Sequence, residues 1–188
     1  MPGEYAPLVA ALHHRHALAT ARAAEEEAAA ATAADNLTAA QQAQAAAQHI
    51  AEATQQQAQG RIAAIVSRCL LAVFGDDAYD FRIVFERKRG KTEAALLFAR
   101  GGLEADPLTA TGGGVVDVAA FALRLAALML SRPPARRLLV VDEPFRFVST
   151  EFRPQVRRLL ETLAEEMGVQ IILVTHAPEF SIGKVVSL

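Results

Sequence analysis

The chain has 188 residues, 52% of them hydrophobic, with a formal net charge of −2 at pH 7. This length suffices for one ordinary domain, or for a smaller one with an extended appendage, and the near-neutral charge gives no global sign of a nucleic-acid binder. The start Met1–Tyr5 lacks the basic and apolar regions of a signal peptide, and no unbroken apolar run of about 18 residues follows. We therefore expect a soluble, cytoplasmic protein without a membrane partner.

The first third of the chain predicts a long helix. From about Pro7 to Phe74 the residues are mainly Ala, Gln, Glu, Leu and Arg, all strong helix formers, and Gly60 is the only glycine. One continuous helix would extend roughly 100 Å as an arm and, being mostly alanine, should lie against another helix of this chain or of a partner. A helical hairpin that turns at Asp35–Thr38 and disorder over Gln41–Gln57 are the two alternatives.

Core-forming Leu, Ile, Val and Phe residues concentrate after Ile62. Cys69 lies in this apolar stretch and, as the single cysteine, is expected to be a buried structural thiol. Apolar residues then alternate with polar ones from Tyr79 to Glu86, which predicts a half-buried strand. A basic turn at Arg87–Lys91 and a returning strand at 93–100 complete a hairpin.

The remaining pattern is glycine loop, helix, strand, helix, strand. Gly112, Gly113 and Gly114 open a helix that ends before Pro133, and strands at 137–141 and 169–174 flank a helix at 152–167. A strand, helix, strand order predicts a parallel sheet, and the apolar runs predict that both strands are buried.

Two acids follow the first of these strands. Asp142 and Glu143 would stand at its C-terminal end, where open α/β sheets place their ligands. In a Walker B element the first acid holds Mg²⁺, and the second orients the water that attacks a phosphate. The alternative is that the pair merely begins a turn before Pro144.

Polar residues mark two further places. His176 follows the next strand, although a histidine there can also be a plain surface residue. Thr111 and the three glycines precede a helix, whose N-terminal N–H groups and the Thr111 hydroxyl would face a phosphate. The alternative for this loop is a glycine hinge with a threonine cap.

The glycine loop, the acid-bearing strand and the histidine strand follow one another in the order found in the C-terminal half of ABC-type ATPase heads, and the chain resembles those of SMC-like and double-strand-break-repair proteins. Short phage-type and bacterial repair ATPases are similar around 142–149. The resemblance covers nearly the whole chain. It implies an α/β fold, the C-terminal lobe of an ABC-type head (a β hairpin plus a partly parallel sheet with helices) over 75–188, with a helical coiled-coil arm over 1–74.

The resemblance also implies roles for the marked residues. His176 matches the histidine that contacts the γ-phosphate, and Thr111 with Gly112–Gly114 matches the signature loop that acts on the opposing site of a dimer. Thr111 stands where serine is usual and Gly114 where a polar residue is usual. The segment after Glu143 departs from the usual D-loop, which leaves communication between two sites open.

No segment fits a Walker A loop, G-x-x-x-x-G-K-[ST]. Gly90-Lys91-Thr92 has Phe85 at the first glycine position, and Gly183-Lys184 has Pro178 there and Val185 after the lysine. We therefore expect the isolated chain to be inactive and not to hold ATP tightly. A Walker A-bearing partner chain would bind most of the ATP and Mg²⁺, giving ATP hydrolysis only in the complex and a role in DNA repair, recombination or DNA organisation.

The alternative function is a catalytically degenerate head that serves as a coiled-coil dimerisation, adaptor or DNA-tethering protein, forming a homo-oligomer through its arm. The basic cluster at 87–91 suits either a DNA backbone or a solvated turn. His13, His14 and His16 are expected to be surface residues rather than metal ligands.

Overall fold

The computed structural model describes residues 5–88, 91–107 and 111–186, without the side chains of residues 86–88, 91 and 92. The chain divides into two compact units, Met1–Thr54 and Gln55–Leu188. The described residues of the first unit are all helical or at the helix start, and all are exposed. The hydrophobic core belongs to the second unit.

Helix α1 is a single helix, Ala6–Phe74. Neither the hairpin at Asp35–Thr38 nor disorder over 41–57 is present, because alanine-rich sequence favours helix throughout. The Thr38 hydroxyl donates to the Ala34 carbonyl at 3.0 Å, one turn earlier, so this polar side chain is satisfied without breaking the helix.

The last turns of α1 enter the core of the second unit. Val66, Cys69, Leu70 and Val73 recur at helical spacing and are buried. The Ser67 hydroxyl accepts a hydrogen bond from the Phe81 N–H at 2.9 Å, which ties this end of α1 to the first strand. The predicted buried position of Cys69 is confirmed.

The predicted hairpin is present. Strands β1 (Asp80–Lys88) and β2 (Lys91–Arg100) pair antiparallel, from Asp80 opposite Ala99 to Lys88 opposite Lys91. The predicted turn at Arg87–Lys91 is too long, because residues 87, 88 and 91 belong to the paired strands, and residues 89 and 90 lie outside the described part. A third strand, β3 (Leu103–Ala105), pairs with the end of β2 and was not predicted, since three residues are too few for a visible alternation.

The second sheet is the predicted parallel pair. Helix α2 (Gly113–Leu130) precedes β4 (Leu138–Asp142), and helix α3 (Arg153–Glu165) connects it to β5 (Gln170–Val174). The register runs from Leu138 opposite Gln170 to Asp142 opposite Val174. This register brings the carboxyl ends of both strands to one edge.

The prediction that β4 and β5 are buried strands is wrong for one of their two faces. Leu139 and Val141 are buried, but Val140 and Ile172 are exposed. The first face packs on the core helices, whereas no described element covers the second.

By length and composition alone, α1 and α2 are each apolar enough to cross a membrane. The apolar character of α2 has another explanation, because Val118, Phe121 and Ala122 are fully buried in the core of the second unit. In α1 it comes largely from alanine.

Candidate active site at the carboxyl ends of the parallel strands

Glu143 is held in an unusual backbone conformation directly after β4. Its φ is +42°, in the left-handed region that a residue with a side chain seldom adopts. Its N–H donates to the Val174 carbonyl at 2.9 Å, and its Oε1 accepts the N–H of His176 at 2.6 Å. The neighbouring strand therefore holds both the backbone and the carboxylate of Glu143.

Asp142 is the last residue of β4 and is exposed. The strand alternation places it on the same face as Val140, away from the core. Its carboxylate has no hydrogen-bond or ion-pair partner among the described residues. A free carboxylate at a strand end suits Mg²⁺, which is bound by one or two carboxylates together with phosphate oxygens. The described residues contain no cluster of three or more His, Cys, Asp or Glu that would hold a metal by itself.

Beside this pair lies an open cleft. Its lining includes the polar residues Glu143, Arg146, Arg153, Thr175, His176 and Glu179. His176 is exposed, so its imidazole is accessible from the solvent. The structure thus brings Glu143 and His176 together at the ends of neighbouring strands, through the backbone of the histidine.

The two arginines of the cleft differ in their partners. Arg153 forms an ion pair with Glu179 at 2.8 Å and donates to the Val148 carbonyl at 3.3 Å. The Glu179 carboxylate accepts a hydrogen bond from its own backbone N–H and another from the Arg153 side chain, and both lower its pKa. Arg146 has no carboxylate within ion-pair distance in the described part of the chain, and its guanidinium lies 5.7 Å from the Phe147 ring centre. Arg146 is therefore the cation of this cleft that no acid neutralises.

Sequence reasoning missed both arginines. The sequence did contain one indication of a role for Arg146, because this residue lies only three positions after Glu143. Its position in the cleft depends on Phe145, which is buried against the Phe121 and Phe180 rings at centroid distances of 5.0 and 5.6 Å.

The glycine loop opens α2 as predicted, but Thr111 does not cap the helix. The N-cap is Gly112, without a side-chain hydrogen bond, and the Thr111 hydroxyl donates to the Pro107 carbonyl at 2.7 Å. The threonine-cap alternative is therefore wrong. In this structure the Thr111 hydroxyl is occupied within its own loop.

Two of the three glycines are explained by packing. A Cβ on Gly113 would lie 3.0 Å from Phe147 Cβ, and a Cβ on Gly114 would lie 2.9 Å from the Phe147 carbonyl oxygen. Asp117, one turn into α2, accepts the Phe147 N–H at 2.7 Å. Burial raises the pKa of the Asp117 carboxyl, and this hydrogen bond opposes the rise. A Cβ on Gly112 would meet nothing within 4 Å.

The glycine loop therefore contacts the segment that follows the acid pair, but it does not line the cleft of Glu143 and His176.

Comparison with solved structures gives the fold. A chain from "Structural biochemistry of ATP-driven dimerization and DNA stimulated activation of SMC ATPases" aligns with a TM-score of 0.53 and 16% identity, over 68% of this chain and 74% of that one. The "SmcHead bound to the C-winged helix domain of ScpA" aligns with a TM-score of 0.52 and 16% identity, over 66% of this chain and 37% of that one. The fold is that of an SMC-type ATPase head.

Sequence comparisons agree with an ATPase relationship. A family model described as "AAA domain, putative AbiEii toxin, Type IV TA system" matches residues 120–182. The "Fe(3+) ions import ATP-binding protein FbpC" of Pseudomonas fluorescens (strain Pf0-1) is 44% identical over 52 residues, which are 28% of this chain and 14% of that protein. The present chain thus spans 14% of the FbpC protein and 37% of the SmcHead chain.

Proposed function

We propose that this chain is one half of an SMC-like ABC ATPase head, which completes an ATP site together with a Walker A-bearing partner chain. The observation that carries the proposal is the bond of Glu143 Oε1 to the His176 N–H at 2.6 Å, beside the carboxylate of Asp142, which has no partner among the described residues. Open α/β sheets bind ligands at this edge.

Each residue of the edge has a distinct role. Asp142 holds Mg²⁺ directly or through water, and Glu143 orients the attacking water and accepts its proton. His176 contacts the terminal phosphate. When bound, Mg-ATP supplies the phosphoryl group that is transferred to water. Arg146 adds positive charge for an anionic nucleotide to a cleft in which Arg153 is already paired with Glu179.

Thr111 and Gly112–Gly114 act on the opposing site of a dimer of heads. Two observations support this role: the loop does not line the cleft of its own Glu143, and the space around Gly112 is open. Open space at the first glycine allows a phosphate to approach the N–H groups at the start of α2.

The matched chain that aligns over 74% of its length comes from work on ATP-driven dimerization and DNA-stimulated activation of SMC ATPases. With this likeness as support, we propose that the protein is cytoplasmic and acts in DNA repair, recombination or DNA organisation.

Isothermal titration calorimetry of the isolated full chain with Mg-ATP tests whether nucleotide binding requires the partner chain. No binding is expected, because the chain has no phosphate loop and its acids repel a triphosphate. A control titration uses the chain together with its Walker A-bearing partner, where heat is expected. Micromolar binding by the isolated chain would contradict the proposal.

A second candidate is a coiled-coil adaptor, and the exposure of every described residue of the first unit favours it. The adaptor needs no chemistry at Glu143. The adaptor function is therefore favoured only if this chain forms a complex with the partner and that complex does not hydrolyse ATP.

A further inference from the structure

Arg153 joins the two segments that border the cleft. We call residues 143–149, which follow β4, the acid segment, and residues 175–180, which follow β5, the histidine segment. The Nη1 of Arg153 donates to Glu179 Oε1 in the histidine segment at 2.8 Å. Its Nε donates to the Val148 carbonyl in the acid segment at 3.3 Å. The planar guanidinium carries several N–H groups in fixed positions, so it can bond to both segments at once.

The stability gained from this ion pair does not account for an arginine at this position. The Arg153 side chain is 23% exposed and the Glu179 side chain 39%, so water screens their attraction. Arg153 is also the first residue of α3, where a positive charge opposes the helix dipole. Stabilising α3 alone would favour an acid there. The contacts of Arg153 therefore serve the two segments that it joins.

Aromatic and ionic contacts attach the histidine segment to its surroundings. Two of its hydrogen bonds are internal, since Thr175 Oγ1 accepts the Ala177 N–H at 3.1 Å and the Ala177 carbonyl accepts the Phe180 N–H at 3.1 Å. The Phe180 ring lies 5.6 Å from the Phe145 ring. Apolar contacts of this kind are not directional, whereas hydrogen bonds weaken steeply when they are misaligned. The bonds of Arg153 therefore set the orientation of the histidine segment.

The carboxylate of Glu179 depends on the charge of Arg153. Glu179 Oε2 is buried and accepts no hydrogen bond from any described residue. A buried oxygen of this kind is tolerated when an opposite charge lies beside the carboxylate. The ion pair is thus the interaction that keeps this carboxylate, and with it the histidine segment, in place.

His176 transmits this arrangement to Glu143. The His176 N–H belongs to the histidine segment and donates to Glu143 Oε1 at 2.6 Å. A displacement of the histidine segment would therefore turn the carboxylate that, in the proposed function, orients the attacking water. A misplacement of about 1 Å can lower a reaction rate about a hundredfold.

Resting on the proposed function, we infer that Arg153 is a positioning residue for ATP hydrolysis, which holds the histidine segment so that His176 keeps the Glu143 carboxylate correctly oriented. Arg153 acts through its bonds to Glu179 and Val148, without a need to contact the nucleotide. Loss of these bonds leaves nucleotide binding as it was and misaligns the attacking water. The expected effect is therefore on kcat.

The first measurement uses the isolated full chain. The double variant Arg153→Gln with Glu179→Gln removes the ion pair and leaves the net charge of the cleft unchanged. Amide hydrogen exchange of His176 and Phe180, followed by NMR, should become at least about tenfold faster, because both N–H groups lie in the histidine segment and open with it. Unchanged exchange in this variant contradicts the inference.

A matched control comes from the same helix. Arg157 and Glu161 form an ion pair of 3.0 Å on α3, and neither residue lines the cleft. The double variant Arg157→Gln with Glu161→Gln should leave both amide exchange in the histidine segment and ATP turnover by the complex as they are in the unsubstituted protein. Equal acceleration of exchange in both double variants would show an effect of α3 as a whole, and this would overturn the inference.

The second measurement is ATP hydrolysis by the complex with the Walker A-bearing partner. The double variant at Arg153 and Glu179 should lower kcat at least about tenfold, while KM for ATP and the melting temperature stay as in the unsubstituted protein. An ion pair that only stabilises the fold would instead lower the melting temperature and leave kcat unchanged. A pair that binds the nucleotide would raise KM. Either of these results overturns the inference.

The inference and the proposed function fail in different ways. If the unsubstituted complex hydrolyses ATP and the variant at Arg153 and Glu179 has the same kcat, the inference fails and the proposed function stands. If the unsubstituted complex hydrolyses no ATP, or if no Walker A-bearing chain associates with the protein, both fail.

Discussion

Single residues at the end of β4 are held by contacts that lie far away along the chain. Glu143 has a left-handed backbone, at a cost of roughly 1–2 kcal/mol, and His176 and Val174 hold it in place. Strain of this kind is retained where the surrounding structure determines the conformation, and it is concentrated at functional sites. Under the proposed function, hydrolysis needs the charge of the Glu143 carboxylate rather than its shape.

Glu143→Gln should therefore lower ATP turnover by the complex with the partner at least about a hundredfold, since general-base catalysis contributes about 10²–10⁴. The amide oxygen of glutamine still accepts the His176 N–H, so nucleotide-dependent association should persist. Phosphate release and co-sedimentation measure the two quantities. Glu161→Gln on α3 is the control, and unchanged hydrolysis in Glu143→Gln would remove this residue from the mechanism.

Cys69 should be nearly unreactive in the folded chain. Burial raises the pKa of its thiol to about 11, so alkylation by iodoacetamide at pH 8 should be at least about a hundredfold slower than in urea. The unfolded thiol ionises near pH 8.5 while the folded one keeps its proton. The free energy of unfolding should therefore fall as the pH rises from about 8.5 towards 11, relative to Cys69→Ala. Rapid alkylation of the native protein would show that the thiol is accessible.

At the level of secondary-structure elements, the central contact joins the start of α2 to the segment after β4. The Phe147 backbone lies against Gly113 and Gly114 and donates to Asp117, while the Phe147 ring is 66% exposed. This contact accounts for two glycines without any ligand. The hypothesis that this loop acts as an ABC-type signature loop therefore depends mainly on Gly112.

Single alanine substitutions at Gly112, Gly113 and Gly114 distinguish glycines needed for packing from a glycine needed for nucleotide-dependent association. Gly114→Ala should lower the free energy of unfolding by about 1–3 kcal/mol, because its Cβ meets backbone atoms that cannot turn away. Gly113→Ala should cost less, since the Cβ meets the Phe147 side chain. Gly112→Ala should change stability by less than about 1 kcal/mol, because glycine is the better N-cap but this backbone conformation suits alanine, and yet weaken nucleotide-dependent association. Urea unfolding measures the first quantity, and equal losses at all three positions would contradict this assignment.

At the level of the whole molecule, the two units contribute unequally to stability. All buried residues of the core, and the partly buried ones packed against them, lie at Ile62 or beyond. The last turns of α1 belong to this core although they continue the helix of the first unit. The predicted division into 1–74 and 75–188 stays a prediction that truncation can test.

Deleting residues 1–54 should leave the melting temperature almost unchanged, because no core residue is removed. Deleting residues 1–74 should abolish the cooperative transition, because Val66, Leu70 and Val73 are lost with it. Circular dichroism on heating distinguishes the two truncations. A cooperative transition in the shorter protein would show that the core does not need α1.

The sequence by itself determined the long helix, the hairpin, the parallel pair and the acids at a strand end, because these depend on residue type and on periodicities within one segment. It also put Glu143 and His176 each directly after one of two parallel strands. Only the tertiary structure decided that Phe147 fills the space at Gly113 and Gly114. It also decided that, among the described residues, Arg146 has no acid partner while Arg153 is paired, and that one face of β4–β5 is left open. Those features depend on side chains from distant segments meeting in space, which an apolar run cannot specify, because it is the same for a strand covered on one face or on two.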